Sequence, residues 1–199
     1  IEECKQEISS PNVSYHQGDV TSPEFIYNTI GIISKHHQKL DVLVNAAGVY
    51  LGSGGINEPV DRWKEILDVN LVAPFAVIQA AYPLLKIGTN PSIINISSVC
   101  SLFPYSSCTS TSYSASKAGL DMLTKRIARE LAPDKIRVNS INPGVVTSNI
   151  WQRSGTAEAD HLKWKAKIKE ERHPLGRTGE PSDIAKLALF LASEEAEWM

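Results

Sequence analysis

Hydrophobic and polar positions along this chain alternate between short apolar runs and longer segments with helical spacing. The apolar runs, rich in Val, Ile and Leu, predict four β-strands, at residues 13–20, 40–45, 92–97 and 136–141. Apolar residues spaced three and four apart predict helices, at residues 25–39, 60–86, 113–131 and 181–191. Ser22-Pro23-Glu24 is a typical start for the first of these helices.

The alternation of strands and helices predicts an α/β fold with a parallel sheet covered on both faces. With 199 residues, 42% of them hydrophobic, the chain can build a substantial core. We therefore expect residues 1–199 to form a single domain, with three layers in the order α/β/α.

Charge, apolar runs and cysteine content argue against several classes of function. A formal net charge of −2 gives no support for nucleic-acid binding or for an anionic membrane surface. No uninterrupted apolar run approaches the roughly 20 residues of a transmembrane helix. The three cysteines, Cys4, Cys100 and Cys108, form no Cys-x-x-Cys pair, which favours a reduced, cytoplasmic protein. No convergent set of metal ligands is visible, so no metal is expected.

Polar or glycine-containing motifs end the predicted strands. They are Asp19-Val20, Asn45-Ala46-Ala47-Gly48, Ser97-Ser98 and Pro143-Gly144. The carboxyl ends of parallel strands meet at one edge of an open α/β sheet, and ligands bind there. The four motifs therefore predict a binding site at that edge.

Tyr113 and Lys117 stand four residues apart and would share one face of a helix. On their own they are most simply a surface pair. Beside the strand-end motifs they become candidate catalytic residues, because a nearby ammonium lowers the pKa of a phenol by roughly 1–3 units. A phenol tuned in this way can exchange protons near neutral pH.

The ordered set of motifs resembles the classical short-chain dehydrogenase/reductase family. The matching pieces are Gly18-Asp19-Val20, Asn45-Ala46-Ala47-Gly48, Asp68-Val69-Asn70, Ile96-Ser97-Ser98, Tyr113-Ser114-Ala115-Ser116-Lys117 and Asn142-Pro143-Gly144. Together they cover almost the whole chain, in the order of the family. The resemblance implies a Rossmann-type, doubly wound sheet and an NAD(P)-dependent oxidoreductase that acts on a ketone or a secondary alcohol.

The resemblance also implies four catalytic roles. Tyr113 is the proton donor in reduction and the base in oxidation, and Lys117 lowers the pKa of Tyr113 and binds the nicotinamide ribose. Ser98 binds the carbonyl oxygen of the substrate together with Tyr113, as in an oxyanion hole. Asn70 holds a water that connects Lys117 to solvent.

The resemblance places the cofactor along the same edge. The implied cofactor-binding residues are Asp19, Val20, Asn45, Ala46, Ala47, Gly48, Tyr113, Lys117, Pro143, Gly144, Val146 and Thr147. Residues 148–175 correspond to a substrate lid. The choice between NAD and NADP stays open, and a homodimer or homotetramer is expected through the helices at residues 60–86 and 113–131.

Four departures from the family pattern accompany the match. Nothing before Asp19 resembles the glycine-rich turn that cradles a pyrophosphate, and no final strand follows residue 191. The sheet is therefore expected to be incomplete at both ends, and the chain to be a truncated form. Ser98 and Tyr113 are 15 positions apart, slightly more than usual, and Ser101 stands where the family often has glycine.

Two other functions share these motifs. One is a 3-oxoacyl thioester reductase of the same family. The other is a catalytically silent Rossmann scaffold that only binds partners. Cys100, two residues after Ser98, is either a plain packing residue or a sensor of oxidation.

Overall fold

The computed structural model describes residues 8, 10–52, 54–104, 108–150, 163 and 173–199. Its helices and strands are, in chain order, α1 Pro23–His36, β1 Val42–Asn45, α2 Val60–Leu67, α3 Ala73–Leu85, β2 Ser92–Ile96, α4 Thr111–Leu131, β3 Arg137–Ile141 and α5 Pro181–Ala192. One π-helical turn, Asp68–Val72, joins α2 to α3. Single 3₁₀ turns are found at Gly55–Asn57, Val99–Ser101, Ala132–Asp134 and Glu194–Ala196.

The three described strands form a parallel sheet in the order β1-β2-β3. In the central strand, Ile93 pairs with Leu43 on one side and with Val138 on the other. Successive side chains of a strand point to opposite faces. Ile93 accordingly packs against α3 and α4, whereas Ile94 packs against α5. The predicted three-layer α/β/α arrangement is confirmed.

The larger core lies between the sheet and the pair α3 and α4. Its buried residues are Ile78, Ala81, Leu85, Ile93, Ile127, Leu131, Ile136 and Val138. Full burial of a Leu, Ile or Val side chain contributes about 1.5–3 kcal/mol. This cluster therefore fixes α4 on the sheet, and α4 carries the Tyr113–Lys117 pair.

On the opposite face, polar contacts hold α5. The guanidinium of Arg137 in β3 donates to the carbonyls of Leu191 at 2.8 Å and Ala196 at 3.0 Å, just where α5 ends. At its start, the Asp183 carboxylate accepts the backbone N–H of Glu180 at 2.9 Å, as in a capping box. Both ends of α5 are thus pinned, so the helix closes this side of the cavity described below.

The predicted strand at residues 13–20 is wrong. The described part of this segment is irregular, and Val13 is 40% exposed. Its apolar positions suit a strand, but a strand needs a hydrogen-bonded neighbour, and no described strand lies beside it. The predicted helix start is confirmed, because α1 begins directly after Ser22, whose Oγ accepts the N–H of Phe25 at 3.3 Å.

The predicted long helix at residues 60–86 is observed, with the π turn at its centre. The 26-residue stretch Val60–Leu85 contains an 18-residue window with a mean hydropathy of 1.3, and by length and composition it could cross a membrane. Core helices of soluble proteins can be equally long and apolar, so length and composition alone do not distinguish a core helix from a membrane span. In the fold, Ile78, Ala81 and Leu85 of this stretch pack on the sheet.

Candidate active site

Hydrogen bonds beyond the strands draw the ends of β2 and β3 together. The N–H of Ser97 donates to the carbonyl of Ile141 at 2.8 Å, and the N–H of Val99 donates to the carbonyl of Pro143 at 3.0 Å. Ser98 lies between these two bonds. The fold therefore holds Ser98 beside the Pro143-Gly144 turn, as the convergence of strand ends predicts.

A buried carboxylate fixes the first turn of α4. Ser110 caps the helix by accepting the N–H of Tyr113 at 3.2 Å. Glu58, only 7% exposed, accepts from the N–H of Ser112 at 3.2 Å and from the hydroxyls of Ser112 at 2.8 Å and Ser110 at 3.3 Å. A negative charge is favourable at a helix N-terminus. This contact sets the direction in which Tyr113 leaves the helix.

Tyr113 and Lys117 share one face of α4, as predicted. The Lys117 Nζ lies 5.8 Å from the centre of the Tyr113 ring. Lys117 is buried, and its ammonium donates to the carbonyl of Ile96 at the end of β2, at 2.8 Å. The Ser98 side chain lies close enough to the Tyr113 phenol to act on its pKa. The structure therefore brings together three of the four predicted catalytic side chains.

The expected lowering of the Tyr113 pKa does not occur in the protein alone. Burial raises the pKa of the Tyr113 phenol, and the nearby Ser98 side chain opposes this only in part. Burial also lowers the pKa of Lys117 from 10.5 to about 8, against the attraction of Asp121. Desolvation disfavours a phenolate and an ammonium alike. The phenol consequently keeps its proton at neutral pH.

Asn70, in the π turn, is fully buried and binds protein groups with both ends of its amide. Its Nδ2 donates to the carbonyl of Val49 at 3.0 Å and to Ser116 Oγ at 3.1 Å, and its Oδ1 accepts the N–H of Val49 at 2.8 Å. The side chain thus anchors the loop that follows β1. The water-holding role of Asn70 stays a prediction.

Gly48 shows how closely that loop approaches the catalytic residues. A Cβ placed on Gly48 would lie 3.4 Å from Asn70 Oδ1 and 3.5 Å from Lys117 Nζ. The absence of a side chain leaves this approach open. The Asn45–Gly48 motif is therefore next to the lysine, as predicted, although Asn45 itself donates to Asn95 Oδ1 at 2.8 Å inside the sheet.

A backbone hydrogen bond orients the Ser98 hydroxyl. Its Oγ accepts the N–H of Cys100 at 3.1 Å, and Ser98 is 8% exposed. A hydroxyl that accepts on one side directs its proton to another. The geometry leaves the Ser98 O–H free to donate towards the Tyr113 hydroxyl or an oxygen beside it.

A second polar cluster, which the sequence reasoning missed, lies below this edge. The buried carboxylate of Asp121 accepts from Ser101 Oγ at 2.5 Å and from Asn142 Nδ2 at 2.8 Å, both through Oδ2. Its Oδ1 is buried and makes no hydrogen bond with any residue that the structure describes. The cluster links the turn after β2 to the turn after β3. Asp121 lies four residues after Lys117, so helical spacing could have indicated it.

A cavity of about 1090 Å³ opens onto these residues. It is lined by most of the predicted cofactor positions, namely Ala46, Gly48, Tyr113, Pro143, Gly144, Val146 and Thr147, and by Ser98. Asn70 and Lys117 lie behind the wall, where they support it. Asp19 and Val20 are not among the lining residues: the exposed Asp19 accepts the N–H and hydroxyl of Thr21 at 2.8 Å each.

Two further residues line the cavity wall: Tyr50, which was not predicted, and His173, which lies within the predicted lid at residues 148–175. Tyr50, 6% exposed, meets the ring of Tyr113 edge to face, with centres 5.3 Å apart. His173 lies across from Gly144, where a Cβ would come within 3.4 Å of its Nε2. Of the predicted lid, residues 151–162 and 164–172 lie outside the described residues.

Comparisons with known proteins agree with this geometry. The model of a family described as enoyl-(acyl carrier protein) reductase matches residues 1–199. The chain is 35% identical over 182 residues to 3-oxoacyl-(acyl-carrier-protein) reductase FabG of Thermotoga maritima, covering 91% of this chain and 70% of that protein. It is 32% identical to a 3alpha-hydroxysteroid dehydrogenase of Mediterraneibacter gnavus, covering 100% of this chain and 76% of the relative.

A solved structure points to the same class. A short-chain dehydrogenase/reductase of unknown function from Caenorhabditis elegans, determined with cofactor, superposes with a TM-score of 0.87 at 30% identity. The superposition covers 99% of this chain and 76% of the other. The chain belongs to the short-chain dehydrogenase/reductase family, oxidoreductases of Rossmann fold that act on CH–OH or C=O groups and use NAD or NADP.

The residues present fit the nicotinamide half of such a cofactor. Gly48 and Gly144 leave the cavity wall open where a Cβ would meet Lys117 or His173. The segment Val146–Thr147, which follows the turn after β3, is held by a backbone pairing of Val146 with Gly179. A small-residue wall with a lysine behind it suits the close approach of a flat ring and its ribose.

Proposed function

We propose that this protein reduces a ketone to a secondary alcohol, with Tyr113 as proton donor and Ser98 as its partner at the carbonyl oxygen. The observation that carries the proposal is the placement of the Ser98 and Tyr113 side chains on the wall of one cavity, with the Lys117 Nζ 5.8 Å from the centre of the Tyr113 ring. The phenol holds its proton at neutral pH and can give it to the alkoxide that reduction leaves, because an alkoxide is the stronger base.

The chain's own residues supply binding, polarisation and a proton. The bound dinucleotide supplies a hydride to the carbonyl carbon. Ser98 and Tyr113 donate hydrogen bonds to the carbonyl oxygen, on which negative charge develops as the carbon is reduced. Tyr113 then gives up the proton on its hydroxyl oxygen, and the positive charge of Lys117 stabilises the phenolate that remains.

The reverse reaction makes the opposite demand on the same phenol. Oxidation of an alcohol requires Tyr113 as a phenolate, which the buried site disfavours. Reduction is therefore the favoured direction near neutral pH, and oxidation gains as the pH rises. This preference follows from the protonation state of Tyr113 alone. The ratio of oxidised to reduced cofactor also affects the direction of the reaction.

An apolar substrate matches the cavity best. Away from Ser98 and Tyr113 the wall includes Val99, Ile150 and Ile184. Such a lining favours an apolar body carrying one carbonyl group. A 3-oxoacyl thioester is the second candidate, because the chain is 35% identical to a reductase named for that substrate.

Association through α3 and α4 is part of the proposal. Phe75 on α3 is 42% exposed and Met122 on α4 is 57% exposed, and Val72, just before α3, is 52% exposed. Large apolar side chains on neighbouring helices favour burial against a second copy. We propose a homodimer or homotetramer with this surface as its contact.

The test is turnover by the wild type and a Tyr113→Phe variant. Nicotinamide absorbance is followed with NADH and with NADPH, against apolar ketones and a 3-oxoacyl thioester. Loss of the proton donor should slow reduction by about 10²–10⁴-fold. Quenching of tryptophan fluorescence by the cofactor should be largely retained. Tyr27→Phe, on the exposed face of α1, is the matched control and should behave as wild type.

Three results would separate the alternatives. Unchanged turnover in Tyr113→Phe would overturn the role of Tyr113. Turnover of the thioester alone would identify the second candidate function. If the cofactor causes no fluorescence quenching and no ketone is turned over, the catalytically silent scaffold is favoured instead.

A further inference from the structure

Two thiols share the wall of the candidate active site. Cys100 lies in the 3₁₀ turn that follows Ser98, and Cys108 lies two residues before the Ser110 cap of α4. Both are free and half-buried, and they lie close enough for each thiol to shift the pKa of the other. Both line the 1090 Å³ cavity and also a second cavity of about 420 Å³. A small solute can therefore approach the pair from either cavity.

The two thiols are not equivalent. The contact with Cys100 lowers the pKa of Cys108, and the Ser114 hydroxyl, 3.4 Å from Cys108 Sγ, acts in the same direction. The same contact raises the pKa of Cys100. The thiolate is the nucleophilic form of cysteine. Cys108 is thus the thiol that reacts first, and Cys100 is the one positioned to respond.

We propose that Cys100 and Cys108 form a reversible dithiol switch, which a hydroperoxide oxidises to a disulfide at the edge of the substrate cavity. In the first step the Cys108 thiolate attacks an oxygen of the peroxide. The O–O bond breaks, an alcohol or water leaves with a proton from solvent, and Cys108 becomes a sulfenic acid.

The second step uses the partner thiol. The Cys100 sulfur attacks the sulfur of the sulfenic acid, its proton leaves with the hydroxyl as water, and the S–S bond forms. Two thiols lose two electrons in total and the peroxide gains them. A small dithiol reductant such as dithiothreitol reverses the change by thiol–disulfide exchange.

The disulfide would act on Ser98. The N–H of Cys100 donates to Ser98 Oγ at 3.1 Å, so a movement of Cys100 towards Cys108 displaces the carbonyl-binding hydroxyl. A displacement of about 1 Å can cost on the order of 100-fold in rate. The predicted loss of turnover rests on the proposed function, whereas formation of the disulfide does not.

Mass mapping of the full-length protein tests the disulfide directly. The protein is treated with hydrogen peroxide, blocked with iodoacetamide, unfolded, and digested with trypsin and chymotrypsin. Chymotryptic cleavage after Tyr105 separates Cys100 from Cys108 unless a disulfide joins the fragments. We expect the two fragments to stay linked in the oxidised sample and to separate after dithiothreitol. Separate fragments in the oxidised sample, or a link to Cys4, would overturn the proposal.

Single variants test the order of the steps. Cys100→Ser should accumulate a sulfenic acid at Cys108 that dimedone traps. Cys108→Ser should leave Cys100 largely unmodified at the same peroxide concentration, and Cys4→Ser should behave as wild type. Equal dimedone labelling of Cys100 and Cys108 would contradict the assigned order. The wild-type mapping remains decisive if a variant fails to fold.

Turnover measurements test the switch separately. Oxidised wild type should reduce its ketone between about 10-fold and 100-fold more slowly, with recovery after dithiothreitol. Cys108→Ser should lose no activity in peroxide. A disulfide without any change in turnover would overturn the switch while leaving the proposed function intact. An enzyme inactive before oxidation would overturn the proposed function, and the mapping result would stand by itself.

Discussion

The catalytic edge of the sheet, where Ser98, Tyr113 and Lys117 come together, and the turn at Asp19 are held in different ways. At the catalytic edge, buried Asn70 binds Val49, 21 positions away, and Ser116, 46 positions away. At the other site, the carboxylate of exposed Asp19 accepts from Thr21, two positions away, and its carbonyl accepts from Ser22, three positions away. One site is built from distant parts of the chain, and the other closes on itself.

This difference shows what fixes a strand-end motif in space. Long-range bonds require each partner to be positioned by its own element, and buried polar groups left without them are costly. Local turns form from the sequence alone and need no neighbour. The catalytic edge is therefore fixed in one geometry. The Asp19 turn forms from local contacts, which do not position it relative to the active site without a neighbouring strand.

The largest contrast is expected between Asn70→Ala and Asp19→Ala. The first change leaves both backbone groups of Val49 without their partner in a buried site, and should lower the free energy of unfolding by about 3 kcal/mol. The second removes contacts that water replaces, and its effect should be much smaller. Urea denaturation of both variants measures the difference.

Equal losses in these two variants would break the comparison, because they would mean that the Asp19 turn is as integral to the fold as the π turn. The slope of unfolding free energy against urea should stay at the wild-type value in both. A changed slope in Asn70→Ala would instead indicate that its loop has already opened in the native state.

The pH dependence of stability should reflect the buried lysine. The native pKa of Lys117 is about 8 against 10.5 when exposed, so between these values the unfolded chain binds more protons than the native protein. Stability should therefore rise with pH across this window, by about 3 kcal/mol in total. Below the native pKa the cost of burying the charge is present in full.

Lys117→Met removes this contribution and is the variant to compare. Its unfolding free energy should lack the rise, whatever its absolute stability at neutral pH. Tyr113 acts with the opposite sign above pH 10, where the raised native pKa keeps a proton that the unfolded chain loses. Asp121, whose charge raises the Lys117 pKa, is the facing anion. Parallel curves for wild type and variant would contradict a buried, depressed lysine.

Sequence patterns predicted the layered fold and the grouping of Ser98, Tyr113 and Lys117, because apolar periodicity and helical spacing are local properties. They failed at residues 13–20, since an apolar run shows that a strand is possible and not that it has a neighbour. They also gave the wrong direction for the Tyr113 pKa. Pairing with Lys117 is visible in a spacing of four, whereas the burial that outweighs it depends on the whole fold.

Glu58 and Asp121 were missed for a related reason. Each is an ordinary carboxylate in the sequence, and its role comes from partners far along the chain: Ser112 lies 54 positions from Glu58, and Asn142 lies 21 from Asp121. For Glu58 the sequence contains no signal that distinguishes it from a solvated carboxylate, whereas for Asp121 the spacing of four from Lys117 is a local signal that was not used.

Asp121→Asn tests whether the charge of Asp121 supports the Lys117 ammonium. The amide keeps an oxygen that can accept from Ser101 and Asn142, so we expect a loss of only about 1 kcal/mol in unfolding free energy. The charge that supports the Lys117 ammonium disappears, and the Lys117 pKa should fall further. The alkaline limb of the reduction rate should move to lower pH, which a purely structural role would not cause. Ser101→Ala keeps the carboxylate and should leave that limb in place.

The smallest expected effect compares two helix caps of the same type. Ser110 and Ser22 each accept a backbone N–H three residues ahead, at 3.2 and 3.3 Å. Loss of a serine cap usually costs about 1 kcal/mol. Ser110→Ala should cost about 0.5–1 kcal/mol more than Ser22→Ala, because Glu58 also loses a donor in a buried site. Thermal unfolding of the two variants measures this, and equal shifts would mean that Glu58 depends on Ser112 alone.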